Sequence, residues 1–165
     1  MSARVLVAGI GNIFLGDDAF GVEVVRRLLA RTWPEGVLVK DFGIRGLDLA
    51  YAMMEQWDLV LLVDAIARGA DPGTLYVVEP ELSDQAPRST LDAHAMTPEK
   101  VLELVKSLGG EVPRTLVLGC EPAQLGDEEG SIGLSDPVEA SLEEASKEVD
   151  RLVAEALNTK IQAAA

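Results

Sequence analysis

The sequence has few of the residues that most often hold metals or carry covalent catalysis. Its 165 residues include one cysteine, Cys120, and one histidine, His94. A single cysteine excludes a disulfide framework within the chain and a zinc cluster built from cysteines alone. A single histidine excludes the helical H-E-x-x-H zinc site, which needs two histidines. The chain also lacks a G-x-S-x-G segment, so it has no nucleophile elbow of the α/β-hydrolase type.

Basic residues and long apolar runs are scarce as well. Lys and Arg number 14 against 28 acidic residues, which gives a net charge of −14. This charge repels nucleic acid and anionic membrane surfaces, so the expected partners are proteins, metals or cationic groups. No apolar run approaches the ~20 residues of a membrane span, and the stretch MSARVLVAG lacks the apolar core of a secretory signal. A soluble, cytoplasmic protein is therefore expected.

The apolar pattern predicts one domain over residues 1–165, with a frayed small-residue tail at about 158–165. Runs rich in valine and leucine predict strands, and their continuous apolar character is typical of strands covered on both faces. The predicted strands are 4–8, 37–41, 58–64, 74–78 and 115–120. The predicted helices are 19–31, 46–56, 98–108 and 137–157, and the last two begin with a proline preceded by Thr97 or Asp136 as a capping residue.

The order of these segments predicts the fold class. Alternating strands and helices indicate an α/β fold with a doubly wound, mostly parallel five-stranded sheet and helices on both faces. Only a short Pro-Gly turn separates the third and fourth strands, which is too short for a crossover helix. The fourth strand is therefore predicted to be antiparallel and at an edge. Ligands of such sheets bind beyond the carboxyl ends of the strands, where the connections diverge to opposite faces.

The stretch GIGNIFLGDDAFG, residues 9–21, joins the first strand to the first helix at this end of the sheet. Glycine-rich turns here usually bind phosphate, but the dinucleotide fingerprint fails at Phe14 and the Gly-Lys-Ser/Thr of a P-loop is absent. The adjacent carboxylates of Asp17 and Asp18 would also repel a pyrophosphate. Since one side chain suffices to cap the helix, we assign Asp17 to the cap or a supporting role, and Asp18 to the site.

Two further residues on this rim are candidates for metal ligands. Asp64 ends the most apolar strand, where a carboxylate is costly to bury unless it is paired, hydrogen-bonded or metal-bound. Hydrogen bonding to its own loop is the alternative role for Asp64. His94 lies in a loop before a helix and is either a nitrogen ligand or an ordinary surface residue. Two carboxylates and one imidazole with open positions suit Zn, Ni or Fe(II), and the ligands alone do not choose among them.

The remaining candidates have supporting or structural roles. Asn12 in the first glycine-rich stretch, and Asp41 and Gly43 at the end of the second strand, are predicted to support the site. Cys120 ends a strand that reads as buried, so its thiol is predicted to be inert packing.

Successive blocks of the sequence resemble those of the [NiFe]-hydrogenase maturation endopeptidases. Their order and spacing match across nearly the whole chain, in the segments GIGNIFLGDDAFGVEVV, DFGIRGLDL, LVLLVDAIARGADPGTL, DAHAMTP and VLGCEPAQLGDEEGSIGLSDPVEASL. One departure is Ile44, at a position where members of that family often carry Thr or Ser. The family's nickel-recognition site consists of an acidic residue after Gly-Asn, an aspartate ending the third strand and a loop histidine. By position these residues are Asp18, Asp64 and His94.

This resemblance implies an endopeptidase that removes the C-terminal extension from the precursor of the hydrogenase large subunit after nickel insertion. The nickel then arrives with the substrate, and no tightly bound resident cofactor is expected. Water is the expected nucleophile, with Asp18 or Asp64 as the catalytic base. Two alternatives remain: a small-molecule metal-dependent hydrolase with its own zinc, and a non-proteolytic chaperone that senses nickel in a partner.

Overall fold

Five strands form a single sheet in the computed structural model, which describes residues 2–81, 96–126 and 129–164. The strands are β1 (Val5–Ile10), β2 (Val37–Gly43), β3 (Leu59–Ala65), β4 (Leu75–Val78) and β5 (Thr115–Cys120). The helices are α1 (Phe20–Leu29), α2 (Gly46–Met53), α3 (Pro98–Ser107) and α4 (Asp136–Ala164), and a short 3₁₀ helix (Gly16–Ala19) precedes α1.

The sheet is mostly parallel, as the sequence predicted. Its strand order is β2-β1-β3-β5-β4, in which β1 pairs in parallel with both β2 and β3, and β3 pairs in parallel with β5. The edge strand β4 runs antiparallel to β5. The short turn after β3 therefore has the predicted consequence, since a crossover helix does not fit within it.

Helices cover both faces of the sheet. Alternate side chains of a strand point to opposite faces, so Val5 and Val7 of β1 join one core while Leu6 and Ala8 join the other. The first core is closed by apolar residues of α1 and α4, and the second by those of α2 and α3. All six residues of β1 are buried, which explains why its sequence is continuously apolar. The predicted doubly wound α/β fold is confirmed.

The ends of α3 and α4 show what fixes each helix. The Thr97 hydroxyl accepts a 3.2 Å hydrogen bond from the Lys100 backbone N–H, and Pro98 occupies the first turn, as predicted for α3. The helix α4 continues to Ala164, into the tail whose fraying stays a prediction. Two contacts hold this segment: Lys160 pairs with Asp58 at 2.8 Å, and the Thr159 hydroxyl donates to the Glu155 carbonyl.

The long helix α4 has a charged outer surface. Arg151 pairs with Glu148 and Glu155 on neighbouring turns, and Lys147 lies near Glu143. Such exposed pairs contribute little to stability, but they keep this side of the helix polar. Among the helices that the structure describes, none is both long enough and apolar enough to cross a membrane.

Candidate active site

The central strands β1 and β3 place the candidate site. From β1 the chain passes through α1 to β2 on one side, while the later strands β5 and β4 extend the sheet beyond β3 on the other. The helix α1 covers one face and α3 covers the opposite face. A crevice therefore opens at the carboxyl ends of β1 and β3, which is where ligands of doubly wound sheets bind.

Two glycines allow the turn after β1 to close tightly. A Cβ atom on Gly11 would lie 1.8 Å from the carbonyl oxygen of Asp18, so only glycine permits the chain to return this close to the strand end. A Cβ atom on Gly21 would lie 2.0 Å from the carbonyl oxygen of Val63, which brings α1 against β3 just before Asp64. These close approaches explain why Gly11 and Gly21 are glycines without invoking a bound phosphate.

Asp18 and Asp64 line one surface cleft of about 260 Å³. The Asp18 carboxylate accepts a 2.9 Å hydrogen bond from the Asn12 backbone N–H, which holds it at the end of β1. Asp64 belongs to β3 itself. The rest of the wall is mostly apolar and includes Leu15, Ile44, Met96 and Leu125. The structure thus brings together the two aspartates that the sequence predicted to meet.

Electrostatics make this cleft attractive to a cation. Asp64 is only 4% exposed, and burial raises the pKa of its carboxyl well above the usual range. The negative charges of Asp18 and of Glu99, in the first turn of α3, raise it further. Burial also raises the pKa of Asp18, although the Asn12 N–H opposes this effect. A positive charge in the cleft would offset both the burial and the mutual repulsion of these carboxylates.

Asp17 points away from the cleft and ties two loops together. Its fully buried carboxylate accepts hydrogen bonds of 2.7–2.9 Å from the backbone N–H groups of Ala123, Gln124 and Ser135 and from the Ser135 hydroxyl. Burial acts to raise the pKa of Asp17, but these donors outweigh it and the pKa lies below its usual value. The predicted cap is not observed at either the 3₁₀ helix or α1, so the supporting role is the one that the geometry allows.

Asn12, Asp41 and Gly43 lie beside the carboxylate cleft and not in its wall. The Asp41 carboxylate accepts a 2.8 Å hydrogen bond from the Gly43 N–H, and Gly43 has a φ of 53°. The Gly43 carbonyl in turn accepts from the Gly11 N–H at 3.0 Å, and the Asn12 side chain accepts from the Phe14 N–H. These bonds fix the two loops that follow β1 and β2 relative to each other.

His94, the third predicted ligand, lies in 82–95, outside the described residues. Within the described ranges, no group of three or more His, Cys, Asp or Glu side chains is arranged to hold a metal ion. His94 therefore stays a prediction.

Glu121, at the end of β5, holds the loop after β3. Its buried carboxylate accepts hydrogen bonds from the backbone N–H groups of Arg68 and Gly69 and from the Tyr76 hydroxyl. The Arg68 N–H is the strongest of several donors that keep the pKa of Glu121 below its usual value despite burial. Glu121 follows a strand that ends at the same rim as Asp64, but its oxygens already accept hydrogen bonds from the protein.

Replacing Glu121 with Gln should lower the melting temperature at neutral pH. A carboxyl with a lowered pKa in the folded state stabilises the fold above its unfolded pKa, about 4.3, and this contribution disappears as the pH falls through the folded value. The side-chain amide of glutamine would also place its own N–H groups against the N–H and O–H donors that now bond the carboxylate, and two donors cannot bond each other. Thermal denaturation at pH ~7 and pH ~3 should show a large difference from wild type at pH ~7 and a smaller one at pH ~3. Equal melting temperatures at pH ~7 would contradict this role.

Cys120 packs inside the first core, as predicted. It is fully buried, its Sγ lies 3.5 Å from the Ser141 hydroxyl, and burial raises the pKa of the thiol. A thiol in this state is a poor nucleophile. We expect Cys120→Ser to retain peptidase activity and to lose about 1 kcal/mol of stability, measured by cleavage assay and denaturation. Complete loss of activity in a folded variant would instead indicate a thiolate mechanism.

Fold and cleft together define the class of protein: an α/β domain with an acidic site at the switch point of its sheet. A family model described as hydrogenase maturation protease matches residues 22–152. The chain belongs to the hydrogenase maturation protease family, and it is an endopeptidase, as the resemblance of its sequence blocks indicated.

Individual relatives agree with this assignment. The hydrogenase expression/formation protein HoxM of Azotobacter vinelandii is 36% identical over 158 residues, which covers 92% of this chain and 73% of the relative. The hydrogenase 2 maturation protease of Escherichia coli (strain K12) is 32% identical, with 88% of each chain covered. Among solved structures, the hydrogenase maturating endopeptidase HybD from E. coli has a TM-score of 0.72 at 29% identity, covering 92% of this chain and 93% of that one.

Proposed function

We propose that this endopeptidase removes the C-terminal extension from the precursor of a [NiFe]-hydrogenase large subunit after nickel has been inserted. Asp18, Asp64 and His94 are proposed to contact the nickel that the substrate carries. The observation that supports this proposal is the pairing of two repelling, poorly hydrated carboxylates in one surface cleft. A cation brought by the substrate relieves that repulsion, so nickel-loaded precursor binds better than nickel-free precursor.

The ligand set favours a metal that belongs to the substrate over a resident one. Two carboxylates and one imidazole leave open positions, and such a site holds an ion less firmly than a closed four-ligand cage. In the proposed complex the open positions are filled by the substrate's own ligands to its nickel. Recognition of the metal and recognition of the polypeptide then depend on each other.

The proposed reaction is attack of water on the scissile carbonyl carbon. The substrate's nickel supplies Lewis acidity, either toward that carbonyl or toward the attacking water. Asp18 or Asp64 takes the proton from the water and later gives it to the departing amine, so the peptide bond breaks without a covalent enzyme intermediate. The mostly apolar wall of Leu15, Ile44, Met96 and Leu125 limits competing water around these carboxylates.

The supporting residues hold this arrangement in place. Asp17 fixes the loop that carries Leu125, because its carboxylate bonds the N–H of Gln124. The Asn12 backbone orients Asp18, and Gly43 anchors the end of β1 through the N–H of Gly11. Because these contacts fix the ends of the strands, the carboxylates of Asp18 and Asp64 keep their positions relative to a bound metal centre.

The two alternatives drawn from the sequence differ from this proposal in what they act on. A small-molecule hydrolase with its own zinc and a non-proteolytic nickel chaperone both fit an acidic cleft. Membership of a protease family favours the endopeptidase over both. The name of the E. coli relative, hydrogenase 2 maturation protease, further supports a hydrogenase precursor as substrate.

The test is to incubate the protein with purified precursor in nickel-loaded and nickel-free forms and to follow cleavage by mass spectrometry. Shortening of the loaded form alone supports the proposal. Binding without cleavage would favour the chaperone instead, and stoichiometric metal in the isolated protein would favour the small-molecule hydrolase.

A further inference from the structure

A second cleft adjoins the carboxylate cleft and shares Gly11 and Ile44 with it. Its volume is about 240 Å³. Its apolar lining consists of Ile13, Phe14, Val22 and Ile44, and Arg26 and Asp41 are its charged residues. The two clefts therefore lie side by side, one acidic and the other largely apolar, with a common wall between them.

Two of the apolar residues of this second cleft, Phe14 and Ile44, are exposed although their backbone is fixed. Phe14 is 58% exposed and Ile44 is 55% exposed. The Phe14 N–H donates to the Asn12 side chain at 2.9 Å, and the Phe14 carbonyl accepts from the Ser131 N–H at 2.7 Å. The Ile44 carbonyl accepts from the Gly46 N–H at 3.0 Å. Large apolar groups presented on a fixed backbone are typical of binding surfaces, because little conformational freedom is lost on contact.

The chemistry of the two clefts limits what can occupy them together. A ligand that spans the common wall needs a cation on the side of Asp18 and Asp64, and an apolar group on the side of Phe14. The second cleft is smaller than the ~300–1,000 Å³ of drug-sized ligand pockets, so it accommodates about one side chain. A polypeptide that carries a metal beside an apolar residue meets both requirements.

We propose that the second cleft is a specificity subsite for one apolar side chain of the precursor, next in space to its nickel centre. Phe14 and Ile44 contact that side chain and set the register of the polypeptide across the carboxylate cleft. This inference rests on the proposed function, since it takes the metal-bearing precursor as the ligand. The apolar side chain of Ile44 supports this inference. Thr or Ser at position 44 would place a hydroxyl in the wall that the two clefts share.

The first test compares Phe14→Ala with Leu29→Ala. Leu29 is a matched control because it is 52% exposed and lies at the far end of α1. For nickel-loaded precursor, Phe14→Ala should raise KM by roughly tenfold or more with kcat little changed, since loss of apolar contact weakens ground-state and transition-state binding equally. Phe14→Leu should have a KM close to that of wild type, because leucine restores most of the apolar contact. A KM for Phe14→Ala equal to that of Leu29→Ala overturns the subsite.

A second test locates the partner residue in the precursor. Each residue flanking the scissile bond is replaced in turn by alanine and assayed with wild type and Phe14→Ala. At one apolar position the substitution should raise KM for wild type but add little for Phe14→Ala, because both changes remove the same contact. Full additivity at every position overturns the inference.

Direct binding of the loaded precursor to the same variants separates this inference from the proposed function. Weaker binding by Phe14→Ala than by Leu29→Ala supports the subsite even if wild type does not cleave, and that absence of cleavage counts against the proposed function alone. Equal binding by the two variants overturns the subsite even if cleavage by wild type is normal.

Discussion

Replacing Asp64 with Ala should abolish cleavage of the nickel-loaded precursor while the protein stays folded. Loss of a group that merely supports a metal ligand already costs roughly 10–100-fold in affinity or activity, so loss of a direct ligand should cost at least about 100-fold. Asp18→Ala and His94→Ala should have the same effect. The measurement is the cleavage rate at saturating precursor, with circular dichroism as the check on folding.

Stability should not fall when Asp64 is neutralised. A carboxyl whose pKa is raised in the folded state destabilises the fold at pH values above its unfolded pKa, about 3.9. Asp64→Asn should therefore melt at or above the wild-type temperature at pH ~7, and any gain should vanish below pH ~4. Loss of activity without loss of stability is typical of a residue kept for function.

Asp150→Asn is the matched control for the ligand variants. Asp150 is also an aspartate, but it lies on α4 in an exposed pair with Arg31, away from the cleft. The Asp150→Asn variant should cleave the loaded precursor at the wild-type rate. Full activity of Asp18→Ala, Asp64→Ala and His94→Ala on loaded precursor would show that the proposed nickel contact is not needed.

Cleavage should depend on nickel in the precursor and not on nickel added to the enzyme. Washed, metal-free enzyme should process nickel-loaded precursor and leave nickel-free precursor intact. The reason is electrostatic: without the substrate's cation, the carboxylates of Asp18 and Asp64 face each other unrelieved and the precursor gains nothing by entering the cleft. The measurement is the fraction shortened over time, read by mass spectrometry.

The experiment must also show whether the metal is carried by the precursor or held by the enzyme. Metal analysis of the washed enzyme sets the starting content, and enzyme preincubated with nickel is then assayed on nickel-free precursor. No cleavage is expected when nickel-preincubated enzyme is assayed on nickel-free precursor. Equal rates on loaded and nickel-free precursor would contradict substrate-borne recognition and indicate an ordinary peptidase, whereas rescue by preloading the enzyme would indicate a resident metal.

The meeting of Asp18 and Asp64 was predictable from the sequence. Continuous apolar runs marked the strands, and the β–α alternation implied a parallel sheet whose carboxyl ends share one rim. Residues that follow β1 and end β3 must then approach each other once those strands pair, as they do. Here local pattern and topology were sufficient, because neither depends on the details of side-chain packing.

The sequence assigned Asp18 to the site and Asp17 to a cap or a supporting role, but it could not show which groups Asp17 holds. Asp17 and Asp18 are chemically identical and follow each other in a 3₁₀ helix, where successive side chains point about 120° apart. Asp18 therefore faces the cleft while Asp17 faces the loop before α4. Glu121 is a further carboxylate at this end of the sheet, but donors from the loop after β3 occupy its oxygens.

The sequence by itself determined the fold class, the antiparallel edge strand, the family and the two aspartates of the cleft. Only the tertiary structure decided which carboxylates are held by the protein and where an apolar subsite adjoins the acidic one. The physical reason is distance along the chain. The partners of Asp17 lie up to 118 residues away, and the second cleft forms where the loops after β1 and β2 meet. Local residue patterns carry no information on such contacts, which arise only when the strands are assembled side by side.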